Sequence, residues 1–205
     1  MADTADLDAL VTRHIGDIEA ALNHAHQLGH SLIEQIEAIL VEDLGAEWHV
    51  ESDVDDDSPL WMSKRSWFDE GKPTRKNSYR MQFDQENGPG GDDEWTWFST
   101  MLGAGPNGAR IRVYFWSSSF STNKRWSKIM EGHGGQLARL LQAGFETDAA
   151  DRLYIPFALD SETLARAYET GNLDEALQPA RDLAATIKAS AEDLGALIER
   201  DWNLD

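Results

Sequence analysis

A stripe of apolar residues that recurs at steps of three and four positions near the start of the chain restricts the fold more than any other feature. Its members are Leu7, Val11, Ile15, Ile18, Leu22, Ala25, Leu28, Leu32, Ile36 and Ile39. This spacing predicts an α-helix, with Thr4 or Asp6 as its N-cap and Gly45 as its stop. Because an unbroken helix would be about 55 Å long, we predict two helices or a kink at Gly29.

The segment from 46 to 120 has a different composition, rich in Trp, Tyr, Phe, Val and Ser, with clusters of Gly, Pro, Asn and Asp between short alternating runs. Such a pattern predicts an antiparallel sheet of about four to five strands. The predicted strands are 48–53, a weak one at 60–64, 78–84, 94–102 and 110–118. We expect 103–108 to be a hairpin loop between the last two strands.

The remainder of the chain predicts helices. One runs over 122–143 with an interruption at 132–135, and an extended piece follows at 153–157. Asp160 to Thr163 is a capped helix start, and Asn172 with Glu175 resembles a capping box for a last helix that reaches Ile198.

The predicted fold is therefore a single α+β domain over 1–205, helical over 1–45, sheet over 46–120 and mostly helical over 121–205. Its central antiparallel sheet, within residues 46–118, is flanked by the N-terminal and C-terminal helices. The alternative is a coiled-coil dimer made by the terminal helices, because their apolar spacing also suits a partner chain.

Charge is distributed unevenly. The net charge is −19, made up of −14 over residues 1–60, +4 over 61–130 and −9 over 131–205. An acidic total disfavours nucleic acid and anionic membranes as partners and favours cationic ones. The sequence contains no secretory signal or apolar membrane span, and it has no cysteine, so we expect a cytoplasmic protein without disulfides or a thiolate nucleophile.

One predicted sheet face carries the strongest candidate binding residues. Alternation along 110–116 places Ile111, Val113 and Phe115 on the core side, and it places Arg110, Arg112, Tyr114 and Trp116 on the other, together with Arg80 from a neighbouring strand. Guanidinium groups beside aromatic rings could stack on bases or hold an acidic peptide. The same arginines could instead pair with the chain's own carboxylates.

Catalytic patterns are incomplete. Glu70-Gly71-Lys72 matches half of the PD-(D/E)XK nuclease signature, with Asp55, Asp56 or Asp57 as the upstream acid. The order of a helix followed by strands is also similar to segments attached to such nucleases. The resemblance implies Mg²⁺ chemistry. Gly71 and Pro73 flank the lysine in a turn-like setting, whereas the motif requires a strand, so we assign no catalytic residue.

Two groups of side chains have the composition of metal ligands. The Asp53 to Asp57 run departs from the calcium-loop template, and His26 and His30 share a helix face with Glu34 but lack a fourth ligand. We therefore predict no metal and no cofactor.

The function predicted from the sequence is that of a non-enzymatic acidic binding or interaction protein, with a protein partner or a homo-oligomer. One alternative is an Mg²⁺-dependent nuclease or a degenerate relative, resting on Asp55, Asp57, Glu70 and Lys72. The other is a structural helical homodimer.

Overall fold

The computed structural model describes residues 4–53, 59–68, 74, 78–85, 96–105, 108–117 and 123–202. Within them, the strands form an antiparallel sheet of order β1-β2-β3-β4-β6-β5. The strands are β1 (Trp48–Ser52), β2 (Leu60–Lys64), β3 (Arg80–Gln85), β4 (Ile111–Trp116), β5 (Glu146–Thr147) and β6 (Leu153–Phe157). The predicted α+β class with a central antiparallel sheet is confirmed.

Seven α-helices and a 3-10 turn (Arg65–Trp67) accompany this sheet in the described residues. The helices are α1 (Thr4–Leu44), α2 (Trp97–Met101), α3 (Asn123–Met130), α4 (Gly134–Gln142), α5 (Ser161–Thr170), α6 (Gln178–Ala189) and α7 (Ala191–Trp202). Helices α3 and α4 are separated at 131–133, which bears out an interruption near the predicted 132–135, although Gly134 and Gly135 belong to α4. Asp160 caps α5 by accepting a hydrogen bond from the Thr163 backbone N–H. Both of these predictions are confirmed.

The core lies on one face of the sheet. Strand register aligns Met62 with Met81 and Phe83 with Val113, and these side chains belong to one buried apolar cluster. All seven helices of the described residues also contribute buried side chains to this cluster. Helices α1, α6 and α7 contribute Leu32, Ile36, Leu40, Ala184, Ile187, Leu194 and Ile198 to it.

Helix α1 is continuous through Gly29, so the prediction of two helices or a kink there was wrong. A β-carbon at Gly29 would lie 3.3 Å from the backbone nitrogen of Phe98. The glycine therefore allows α2 to approach α1 closely, which is a packing role that does not require a break. The continuous helix is about 60 Å long.

The strand predicted over 94–102 was also wrong, because the described part of that segment contains helix α2. The Thr96 side chain accepts a hydrogen bond from the Ser99 backbone N–H at 3.1 Å and caps this helix. Strand β3 pairs directly with β4, and the predicted hairpin loop at 103–108 does not connect two strands. The packing of α2 against α1 outweighs the β-propensity of its aromatic residues.

The sheet extends beyond residue 118, where the sequence placed its end. The extended piece predicted at 153–157 is β6, which pairs with β4, and the short strand β5 completes that edge.

The last helix is divided, contrary to the single helix predicted from Asn172. The Asn172 side chain accepts a hydrogen bond from the Asp174 backbone N–H in a turn, and Pro179 lies in the first turn of α6, where proline is tolerated. Helix α6 then contacts α1 and β6, whereas α7 contacts α3 and α4. The division at Ser190 lets the two halves pack against different neighbours.

Candidate interaction surface

The polar face of the sheet brings together four of the five predicted binding residues. In the pairing of β3 with β4, Arg80 lies opposite Trp116. On β4, Tyr114 lies opposite Gln82 and Arg112 lies opposite Asp84. Arg110 precedes β4, and its side chain lies beside Gly103. Sequence alternation therefore predicted the shared face of the strand residues.

Burial differs among these residues. Arg80 and Tyr114 are each 6% exposed, Arg112 and Trp116 are half-buried, and Arg110 is exposed. The Arg80 Nε donates to the Gln82 Oε1 at 2.7 Å, and the Gln82 amide donates to Asp84 at 3.3 Å. A binding role for the five predicted residues stays a prediction.

A hydrogen-bonded cluster joins the end of this face to the turn after β5. The Arg112 Nη1 donates to the Tyr114 hydroxyl at 3.2 Å, and that hydroxyl donates to the Asp148 Oδ2 at 3.2 Å. The Arg152 Nε donates to the same oxygen at 2.7 Å, and the Arg152 guanidinium lies 4.7 Å from the centre of the Tyr114 ring. Asp148 therefore links β4 to the turn between β5 and β6 through charge-assisted hydrogen bonds.

Electrostatics in this cluster follow from burial and pairing. Burial alone would raise the pKa of the Asp148 carboxyl, but hydrogen bonds from the Arg152 side chain and backbone and from the Ala150 backbone outweigh it and lower that pKa. Burial is the largest cause, and the hydrogen bond to Glu146 the second largest, that raise the pKa of Tyr154 to about 12. At neutral pH Asp148 is therefore ionised and can accept the hydrogen bonds from Tyr114 and Arg152, while the neutral Tyr154 phenol donates to Glu146 at 2.6 Å.

Sequence reasoning did not identify Asp148, Arg152, Tyr154 or Glu146. The only sequence pattern that could have indicated them is local, because Asp148 and Arg152 are four residues apart in one turn. The Asp148 side chain accepts hydrogen bonds from the backbone N–H groups of Ala150 and Arg152 in that turn.

The first half of α1 forms a second, very different surface, which we name the N-terminal arm (residues 5–27). Its residues are exposed apart from Ala9 and Ala25, which are half-buried. Extensive burial begins at Leu28 and Gly29, where the helix reaches the rest of the protein. The arm therefore extends about 35 Å from the point where the helix begins to pack.

Apolar side chains line one side of this arm, and we name them the arm stripe: Leu7, Val11, Ile15, Ile18 and Leu22. They are 39–53% exposed. Together they present about 400 Å² of apolar surface, an extent that often marks a binding site on a monomer. The sequence predicted the stripe but not its exposure. The length of an unbroken helix, about 55 Å, was the sequence feature that could have indicated that part of it would extend beyond the core.

The candidate catalytic and metal-binding residues can be located only in part. Asp55, Asp56, Asp57, Glu70 and Lys72 lie outside the described residues. His26 is exposed and His30 is half-buried. Among the residues that the structure describes, no group of three or more His, Cys, Asp or Glu side chains could hold a metal ion.

A pocket of about 260 Å³ lies between β6 and α6, with Pro156, Phe157, Leu183 and Thr186 in its lining. Asp182 also lines it and accepts a hydrogen bond from Gln178 at 2.9 Å. Its volume is below the range of typical small-molecule sites.

Comparisons with protein-family models, curated proteins and solved structures found no match to this chain. Within the described part of the chain, no helix has both the length and the apolar character needed to cross a membrane.

Proposed function

We propose that this protein is a non-enzymatic interaction protein whose N-terminal arm binds a partner through the arm stripe. The observation that carries the proposal is the 39–53% exposure of five aliphatic side chains aligned on one helix. Covering them removes apolar surface from water, which contributes about 25 cal/mol per Å² to binding.

The physical state of the arm also supports a partner. Most helical stability in proteins comes from the packing of an amphipathic face, whereas the arm residues are exposed apart from Ala9 and Ala25. A partner that covers the stripe would stabilise the helical conformation as well as bury the side chains. The stripe continues along the helix face that packs in the core through Leu32 and Ile36, so its direction is fixed by the rest of the protein.

The polar face of the sheet supports this role less well. Arg80 and Tyr114 are buried, and their polar groups form hydrogen bonds within the chain. Binding through these two residues would require the chain to give up those contacts.

Site-specific photo-crosslinking in native cells tests the proposal. A photoreactive amino acid at Ile18 lies on the stripe, and one at Ala20, two residues along, lies on nearly the opposite side of the helix. We expect crosslinked protein from position 18 and little from position 20. Equal yields at the two positions, or no crosslinked protein at either, would contradict the proposal.

A further inference from the structure

The apolar residues of the arm stripe are arranged symmetrically along the helix. Leu7 and Leu22 are equally distant in sequence from a point between His14 and Ile15, and so are Val11 and Ile18. Two copies of the arm placed antiparallel about that point align Leu7 with Leu22 of the second copy and Val11 with Ile18 of the second copy. Ile15 then lies next to its own equivalent at the two-fold axis.

We propose that the N-terminal arm binds a second copy of itself in an antiparallel helix pair. This inference rests on the proposed function and names the partner. The pairing is isologous, so one stripe supplies both sides of the interface.

The position of the stripe along the arm favours the antiparallel arrangement. The midpoint of the stripe lies about 20 Å from Leu28, where the helix begins to pack. Antiparallel pairing therefore separates the two packed regions by about 40 Å along the helix axis, several Debye lengths at physiological salt. Parallel pairing would bring two acidic chains, each of net charge −19, side by side.

The available area indicates a weak dimer. The stripe and its flanking residues would bury about 600 Å² on each copy, which gives a total near the lower limit for specific interfaces. The arm has four acidic residues and one basic residue, so two arms repel each other modestly. Screening by added salt should strengthen the dimer, whereas salt should weaken binding to a basic partner.

Spin labels can measure the arrangement directly, because the chain has no cysteine and one introduced cysteine is unique. We would label Arg13→Cys and His24→Cys separately in the full chain and record dipolar distances at a concentration on the order of 100 μM. Antiparallel pairing predicts axial separations of about 5 Å for position 13 and about 29 Å for position 24. The measured distance should therefore be clearly longer at position 24.

Light scattering on Ile18→Asp and Ala20→Asp provides the matched control, since both changes add one negative charge to the arm. We expect Ile18→Asp to weaken dimerisation at least tenfold and Ala20→Asp to leave it nearly unchanged, with both variants retaining the circular dichroism of a folded chain. Short distances from both labels, or a monomer at every concentration, would overturn the inference. If crosslinking at Ile18 still captured another protein, the proposed function would stand while the second-copy inference failed.

Discussion

Replacing Asp148 by asparagine should destabilise the protein in a pH-dependent way. The Asp148 Oδ2 accepts hydrogen bonds from the Arg152 guanidinium and the Tyr114 hydroxyl. Asparagine has nearly the same shape, and one of its atoms can still accept from the turn backbone. Its amide nitrogen, however, would face two donors and accept from neither.

The expected magnitude follows from these contacts. A hydrogen bond to a charged group contributes about 1.5–3 kcal/mol, and the Tyr114 hydroxyl also loses its acceptor. The Arg152 side chain is 45% exposed, so solvent screening reduces the ion-pair contribution. We expect a loss of about 2 kcal/mol, equivalent to about 4–8 °C in Tm for a chain of this size.

Urea unfolding of the wild type and Asp148→Asn, at neutral pH and in steps toward pH 3, is the assay. The folded-state pKa of Asp148 lies below its ordinary value of 3.8. Its stabilisation is therefore complete well above that value and is lost as the pH falls through the lower, folded-state pKa. The difference in free energy of unfolding between the wild type and Asp148→Asn should therefore become smaller in acid.

Equal stabilities at neutral pH would refute this reasoning. A gap that stays constant in acid would refute the assignment of the effect to the ionised carboxyl.

Three further changes have defined outcomes. Gly29→Val should lower the free energy of unfolding by about 1–3 kcal/mol, because its β-carbon would lie 3.3 Å from the Phe98 backbone nitrogen. The control Gly16→Val has nothing within 4 Å of its β-carbon and should change the free energy of unfolding little. Similar losses in the two variants would contradict the packing role of Gly29. Trp126→Phe removes the 2.7 Å hydrogen bond to the Asp151 carbonyl and should destabilise by about 1–3 kcal/mol in urea unfolding. In an ultraviolet titration, the phenolate absorbance that develops near pH 12 should be smaller in Tyr154→Phe than in the wild type.

The sequence was informative where one periodicity dominates. The alternation of Ile111, Val113 and Phe115 with polar residues predicted the two faces of β4, and the apolar stripe predicted helical structure over the region of α1, though not its continuity through Gly29. Both patterns reflect the burial of one side of a regular element.

The errors arose where tertiary packing decided the outcome. Trp97 to Met101 has strand-like composition, but it is helical against α1, and Gly29 serves that contact instead of breaking the helix. The exposure of the arm depends on where the other helices end, which local sequence does not encode. The Asp148 cluster joins residues brought together by the β4–β6 pairing, and that pairing was not predicted.

Hydrogen exchange of the arm amides in the full chain, measured across protein concentration, tests the central claim most directly. We predict that protection over residues 8–27 rises with concentration, while protection over 32–44 stays constant because those residues pack in the core. Strong protection of the arm that is independent of concentration, even in the most dilute sample, would contradict the account.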